Sequence, residues 1–184
     1  LLGKPLIAYT ILAAKNSGVL DRLILSSDDP DIIKVAKAYG CEVPFVRPKE
    51  LAEDKTPHLP VMQHAVKWFK DREGYSPDYV MILQPTSPLR QAFHIKESVD
   101  LILKTGADSV LSVAEVPENY NYRKTMVVDE HGFLKLISGE PIYKRIARRQ
   151  DLPKNYWSTG MIYLFKTDLL FHTTNPNFYG EKNA

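Results

Sequence analysis

Residues 84–90, with the sequence QPTSPLR, combine groups that could bind a polar ligand. Two prolines remove backbone donors and fix φ angles, so this loop is stiff. Thr86 and Ser87 carry hydroxyl groups, and Gln84 carries an amide that both donates and accepts hydrogen bonds. Such a loop could contact the edge of a base or a sugar without rearranging. It could equally be the start of a helix, with Ser87 as the cap and the second proline in the first helical position.

Two other stretches carry groups of chemical interest. Residues 26–29 read SSDD and directly follow a short apolar run. Further along, four cations lie close together in the sequence: Lys144, Arg145, Arg148 and Arg149. A cluster of this kind could meet a carboxylate or a phosphate. Taken alone, it is more typical of a basic surface in contact with solvent.

Apolar runs alternate with helical patterns along much of the chain. Asp29 and Pro30 are expected to cap and to begin the second helix. Because strands in such patterns are buried, we predict a mostly parallel sheet with helices on both faces, which binds ligands beyond the carboxyl ends of its strands. The predicted strands are 23–25, 41–46, 79–83, 109–113 and 160–165, and the predicted helices are 6–14, 30–38, 57–73 and 93–104.

The alternation stops between residues 117 and 153. Short strands are predicted at 122–128 and 133–137, and residues 129–132, with the sequence DEHG, are expected to form a hairpin turn between them.

Composition excludes several classes of protein. The chain has 184 residues, 44% hydrophobic and 25% charged, and a net charge of only +2, which favours a soluble globular protein over a nucleic-acid binder. No apolar run approaches the roughly 20 residues of a membrane span, and the first residues lack a signal-peptide pattern. Cys41 is the single cysteine, which suits a reducing compartment. We therefore expect a cytoplasmic protein.

Residues 84–90 resemble the signature loop of the acylneuraminate cytidylyltransferases, also called CMP-sialic acid synthetases. Other parts of the chain resemble motifs of the same family in the same order: 2–10, 26–29, 47–52, 148–153 and 160–163. The resemblance implies a three-layer α/β/α Rossmann-like nucleotidyltransferase fold, with residues 1–184 as one domain. It also implies that about residues 117–153 form a small inserted subdomain through which the protein is a homodimer.

The activity implied by this resemblance is cytidylyl transfer from CTP. The acceptor would be the anomeric hydroxyl of a nine-carbon 2-keto sugar acid of the sialic, legionaminic or pseudaminic type, and pyrophosphate would be released. Such transfer depends on positioning and on charge neutralisation, with Mg²⁺ as the expected cofactor.

The resemblance also implies roles for individual residues. Gln84 is expected beside the sugar and the reacting hydroxyl, as the catalytic residue. The expected nucleotide-binding residues are Arg47, His58, Pro85, Thr86 and Ser87. Besides Gln84, the expected sugar-binding residues are Lys124, Arg149, Gln150, Thr159, Tyr163, Phe178 and Tyr179. Two of these depart from the family pattern, because His58 replaces a small hydroxyl residue and Thr159 replaces an asparagine.

Two family motifs have no counterpart in the 184 residues. A glycine-rich loop that cradles phosphates would precede Leu1, and an acidic motif that holds Mg²⁺ would follow Ala184. We therefore expect no metal ligands here, and no pyrophosphate release by these residues alone. The alternative function is that of a truncated, non-catalytic relative that binds nucleotide or sugar and dimerises. A third possibility, nucleic-acid binding through residues 144–149, is disfavoured by the weak net charge.

Overall fold

The computed structural model describes residues 1–172 and 179–184. The chain divides into two compact units. The first comprises Leu1–Ser112 and Gly160–Ala184, and the second comprises Val113–Thr159. The predicted inserted segment, about 117–153, lies within the limits of the second unit. Each described helix is too short or too polar to span a lipid bilayer.

The helices and the later strands follow the predicted order, whereas the predicted strands 23–25 and 41–46 are reduced to one isolated bridge between Ile24 and Glu42. The α-helices are α1 (Leu6–Ser17), α2 (Pro30–Ala38), α3 (His58–Glu73), α4 (Ala92–Thr105) and α5 (Leu169–His172). The strands are β1 (Tyr79–Ile82), β2 (Ser109–Glu115), β3 (Met126–Val128), β4 (Leu134–Leu136) and β5 (Tyr156–Lys166).

The start of α2 forms as the sequence predicts. One carboxylate oxygen of Asp29 accepts hydrogen bonds from the backbone N–H groups of Asp31 at 2.8 Å and Ile32 at 2.9 Å. Pro30 occupies the first helical position, where its missing N–H is not needed. Asp29, the last residue of the segment 26–29, is thus the N-cap of α2.

The main sheet has the strand order β1-β5-β2. β5 runs antiparallel to β1, with Ile82 opposite Tyr163. Parallel pairing occurs in isolated bridges, between Ile24 and Glu42 and between Ser109 and Asn183. The predicted α/β class is therefore correct, whereas the described strands do not form a mostly parallel sheet. β5 begins in the second unit, continues into the first and runs there in the opposite direction to β1.

Both faces of the sheet in the first unit are packed against helices. Side chains of successive strand residues point to opposite faces. Met81 and Leu83 pack in a cluster that includes Ile95 and Ile102 of α4, together with alanines of α1. Val80 and Ile82 pack in a second cluster, formed with α3 and α5. The core of this unit thus consists of one sheet between two helical layers.

The second unit contains a β-hairpin whose turn is determined by local chemistry. β3 and β4 pair antiparallel, with Met126 opposite Leu136. In the turn, the Asp129 carboxylate accepts hydrogen bonds from the backbone N–H groups of His131 at 3.0 Å and Phe133 at 2.9 Å. Gly132 has a φ of 84°, a conformation that favours glycine. The predicted turn at 129–132 is confirmed.

Only two residues of the second unit are buried, Asn121 and Leu136; the structure describes this unit throughout. The Asn121 side chain donates to the backbone oxygen of Pro153 at 2.8 Å and accepts from the backbone N–H of Arg123 at 3.0 Å. A buried amide therefore joins two parts of this unit that are 32 residues apart.

Candidate active site

Three polar side chains of the first unit come together at the end of β1. Gln84 lies two residues beyond Ile82, which pairs with Tyr163 on β5. Strand alternation therefore places Gln84 and Tyr163 on the same face of the sheet. α3 packs on this face, and its first residue, His58, has its Nε2 atom 3.3 Å from the amide nitrogen of Gln84. In this contact the amide donates, and the imidazole accepts in the tautomer protonated at Nδ1.

Gly160 lies between the side chains of Gln84 and Tyr163. A Cβ atom at this position would lie 3.5 Å from the amide oxygen of Gln84 and 3.5 Å from the hydroxyl of Tyr163. The φ of Gly160 is 71°, which favours glycine. A residue without a side chain thus leaves space between two groups that can hydrogen-bond to a ligand.

Tyr179 belongs to the same region. It packs against the apolar cluster that contains Tyr163. Burial raises the pKa of the Tyr179 hydroxyl, and the nearby Tyr163 raises it further. The predicted sugar-side residues Gln84, Tyr163 and Tyr179 are therefore close to one another, whereas Phe178 lies outside the described residues.

Arg47 is held beside the loop at 26–29. Its Nε donates to the hydroxyl of Ser26 at 3.0 Å, and its Nη2 donates to the backbone oxygen of the same serine. Its backbone N–H donates to Ser27 at 2.9 Å. Burial lowers the pKa of the Arg47 guanidinium, and Asp28 partly opposes that shift. The predicted nucleotide-side arginine is thus tied to the loop that follows residues 23–25.

The two polar loops that the sequence singles out open onto one cavity of about 1080 Å³. Ser26 and Asp28 of one loop and Pro85 of the other line this cavity. Arg47 lines it as well. The two loops therefore lie on the wall of one cavity. Its volume lies slightly above the roughly 300–1,000 Å³ of small-molecule sites, so a ligand of a few hundred daltons has room there.

The loop at 84–90 is not a helix start. α4 begins at Ala92 with Gln91 as its N-cap, in a reciprocal pairing with His94. Ser87 instead accepts a hydrogen bond from the backbone N–H of Arg90 at 3.1 Å, which closes a turn before the helix. Thr86 is exposed and Ser87 is half-buried. The alternative in which Ser87 caps a helix is therefore wrong.

The remaining predicted sugar-side residues lie in the second unit. Arg149 pairs with Glu118 and is largely exposed. Gln150 is exposed, and both Lys124 and Thr159 are half-buried.

The basic stretch around residues 144–149 carries its own counter-charges. Arg148 binds Asp151 through two hydrogen bonds of 2.7 and 3.0 Å. Lys144 lies 3.5 Å from Glu140. Exposed pairs of this type contribute little to stability.

Arg90 is a further residue of this site, which the local sequence does not predict. Its side chain is only 2% exposed and spans three acceptors. It donates to the backbone oxygen of Gln84 at 2.7 Å, the backbone oxygen of Met161 at 2.8 Å and the hydroxyl of Thr10 at 2.9 Å. The only sequence signal was its position as the last residue of the 84–90 motif, because its acceptors lie on distant parts of the chain.

The described residues do not fit the Mg²⁺ ion that the family resemblance implies. No group of three or more His, Cys, Asp or Glu side chains among them is arranged to hold a metal ion. We therefore assign no step of a reaction to such an ion.

Comparison with solved structures shows the fold of this chain. The chain superposes on CMP:2-keto-3-deoxy-manno-octonic acid synthetase complexed with CTP with a TM-score of 0.62. The two chains are 16% identical, and the match covers 92% of this chain and 66% of the other. At this level of identity the likeness shows a shared fold and nothing more.

The family follows from the sequence. The family described as Cytidylyltransferase matches residues 1–177, so the chain belongs to that family. This confirms the predicted membership of a family of CTP-dependent nucleotidyltransferases.

Two curated relatives agree with this assignment. Pseudaminic acid cytidylyltransferase of Campylobacter jejuni is 34% identical over 88% of this chain and 67% of its own length. CMP-N,N'-diacetyllegionaminic acid synthase of Legionella pneumophila is 37% identical over 98% of this chain and 74% of its own length. The chain thus spans about two thirds to three quarters of these relatives.

Proposed function

We propose that this protein transfers the cytidylyl group of CTP to the anomeric hydroxyl of a nine-carbon 2-keto sugar acid. The observation that carries the proposal is the convergence of Gln84, His58 and Tyr163 at the end of β1. The next residue in the chain, Pro85, lines the cavity together with Arg47. The names of the two relatives support pseudaminic and legionaminic acids as the acceptor class.

In the proposed reaction, the anomeric oxygen attacks the α-phosphorus of CTP. A new phosphorus–oxygen bond forms, the bond between the α-phosphorus and the bridging oxygen breaks, and pyrophosphate leaves with that electron pair. The hydroxyl proton is released to water. Catalysis of this kind depends mainly on holding the two reactants in line.

Gln84 and Tyr163 are suited to orient the sugar. Their amide oxygen and hydroxyl both face the space above Gly160, where a ligand hydroxyl could accept and donate hydrogen bonds at once. His58 accepts a hydrogen bond from the amide of Gln84, which leaves the amide oxygen directed at that space. In this arrangement His58 positions Gln84 and has no direct role in proton transfer.

Arg47, Pro85, Thr86 and Ser87 are proposed to bind the nucleotide. The guanidinium of Arg47 is anchored to Ser26 at the cavity and can offer its charge to a phosphate or a polar edge of the nucleotide. The stiff loop at 84–87 supplies hydroxyl groups without a large ordering cost.

We also propose that the second unit forms a homodimer interface, with Lys124, Arg149 and Gln150 serving the sugar carboxylate of the assembled protein. The support is the large share of apolar side chains that this unit leaves exposed, including Val128 and Phe133. A cytoplasmic location is likewise proposed. It suits the buried thiol of Cys41, whose pKa burial raises to about 11, so that it stays protonated at neutral pH.

The test combines binding with turnover. CTP and, as a control, UTP are titrated into the ¹⁵N-labelled chain, and pyrophosphate release is measured with Mg²⁺ and each of pseudaminic, legionaminic and N-acetylneuraminic acids. We expect CTP to shift the resonances of Arg47 and Ser87, and Arg47→Met to weaken CTP binding about tenfold. Turnover with one preferred sugar acid would support the proposal and would overturn the expectation that these residues alone release no pyrophosphate.

Two results would count against the proposal. If CTP shifts no resonance in this region, the nucleotide site is wrong. If CTP binds but no sugar acid supports pyrophosphate release, these residues act as a non-catalytic binding module.

A further inference from the structure

We propose that Arg90 is the positioning residue of this site. In this inference, its guanidinium sets the spacing between the loop that carries Gln84 and the part of β5 that carries Gly160 and Tyr163. The change in kcat that we expect rests on the proposed function. The change that we expect in the position of Gln84 does not.

The contacts of Arg90 join the two halves of the site. Its Nη2 holds the backbone oxygen of Gln84 at 2.7 Å, and its Nε holds the backbone oxygen of Met161 at 2.8 Å. Met161 directly follows Gly160, the position on which the amide of Gln84 and the hydroxyl of Tyr163 converge. Because the guanidinium is planar and rigid, it fixes both backbone segments relative to each other.

Thr10 of α1 completes the arrangement. Its hydroxyl accepts from Nη1 of Arg90 at 2.9 Å and donates to the backbone oxygen of Gln84 at 3.4 Å. The oxygen of Gln84 is therefore held by two donors from different parts of the chain. A loop anchored in this way keeps its side chain in place before a ligand arrives.

Stability alone does not account for a charged residue here. Arg90 is 2% exposed, and burial lowers its pKa to about 10, so it is still protonated at neutral pH. Among the described residues it forms no salt bridge, and its partners are neutral oxygens. Burying a charge without a counter-ion carries a desolvation cost, which an apolar residue at this position would not have. What an apolar residue could not do is donate hydrogen bonds to three acceptors at once, as the arginine does.

Two substitutions separate geometry from charge. Arg90→Lys keeps the charge but replaces a planar group that spans three acceptors with a single ammonium. Arg90→Met keeps much of the volume and removes the donors. Arg22→Met is the matched control, because Arg22 is also a multidentate arginine of the first unit, bound to Glu42 and Glu73, and it does not contact the Gln84 cluster.

The experiment measures the side-chain amide resonance of Gln84, kcat and KM for CTP in each variant. We expect both Arg90 variants to shift the Gln84 resonance and to lower kcat about 100-fold, since misplacing a site residue by about 1 Å can have an effect of that size. KM for CTP should change less than about threefold. Arg22→Met should lower the melting temperature without shifting the Gln84 resonance.

The inference is overturned if folded Arg90→Met keeps the wild-type Gln84 resonance. It is also overturned if the variant keeps the wild-type kcat in a turnover assay that works. If the wild-type chain releases no pyrophosphate with any sugar acid, the proposed function fails, and the Gln84 resonance alone decides the role of Arg90. If the Arg90 variants do not fold, Thr10→Val is used in their place, because it removes one of the three acceptors of Arg90. It should shift the Gln84 resonance by a smaller amount.

Discussion

The two units of the chain keep their structure by different means. The first unit buries large apolar side chains on both faces of its sheet, among them Phe165 and Ile95. The second unit buries only Leu136 and Asn121, while the side chains of Val128 and Phe133 remain 65% and 69% exposed.

This difference indicates where each unit obtains its stability. A two-stranded hairpin is marginal in water without a surface to pack on. In the second unit, hydrogen bonds at the Asp129 turn and around Asn121 define the backbone without an extensive core. An apolar face of this kind suggests a partner surface, and a second copy of the chain is the partner that we propose.

Truncating one phenylalanine in each unit tests most directly whether the two units differ in their source of stability. Phe165→Ala should lower the free energy of unfolding by about 3–5 kcal/mol, because it leaves a cavity in a closed core. At protein concentrations where the chain is monomeric, Phe133→Ala should change it by less than about 0.5 kcal/mol. Urea unfolding followed by circular dichroism measures both. Equal losses would show that the exposed side chain is buried in solution.

Asn121→Ala tests whether a polar residue holds the second unit together. The substitution leaves the backbone groups of Pro153 and Arg123 without their partner, and we expect a loss of about 1–3 kcal/mol. Hydrogen exchange should show faster opening of residues 113–159 than of the sheet of the first unit. Unchanged exchange in the second unit would mean that the hairpin, not Asn121, organises it.

Charges on the hairpin test the proposed interface. The double substitution of Val128→Asp and Phe133→Asp should weaken self-association at least tenfold, about 1.4 kcal/mol, because it places carboxylates on an apolar surface. Sedimentation equilibrium measures this effect. A control with Leu103→Asp, an exposed leucine of α4 in the first unit, should leave association unchanged. If the wild-type chain is a monomer at all concentrations, the interface is absent.

The smallest effects are expected from one half-buried carboxylate in each unit. Lys166 lowers the pKa of Asp108, and Lys135 lowers that of Asp129, with backbone N–H groups adding to both shifts. A carboxyl group whose pKa is lower in the folded chain stabilises it above the unfolded pKa of about 3.9. That stabilisation is lost as the pH falls through the folded pKa.

Melting curves between pH 6 and pH 3 measure these contributions. Asp108→Asn and Asp129→Asn should each lose less stability on acidification than the wild-type chain. If the units melt separately, each substitution should affect only the transition of its own unit. A wild-type pH dependence in both variants would show that other carboxyl groups dominate.

Features encoded within a few residues were predictable from the sequence. The cap formed by Asp29 and Pro30, the turn at 129–132 and the strand at 79–82 depend on neighbouring residues and appear as predicted. The family was also predictable, because its motifs are short and occur in order.

Only the tertiary structure decided how the site is assembled. The roles of Ser87 and Arg90, the direction of β5 and the contact between His58 and Gln84 could not be derived from local sequence. The acceptors of Arg90 lie 80, 71 and 6 residues away along the chain. Which of them a long side chain reaches depends on how α1, β1 and β5 pack. Local preferences act over a few residues, whereas burial and hydrogen-bond pairing are determined by the whole core.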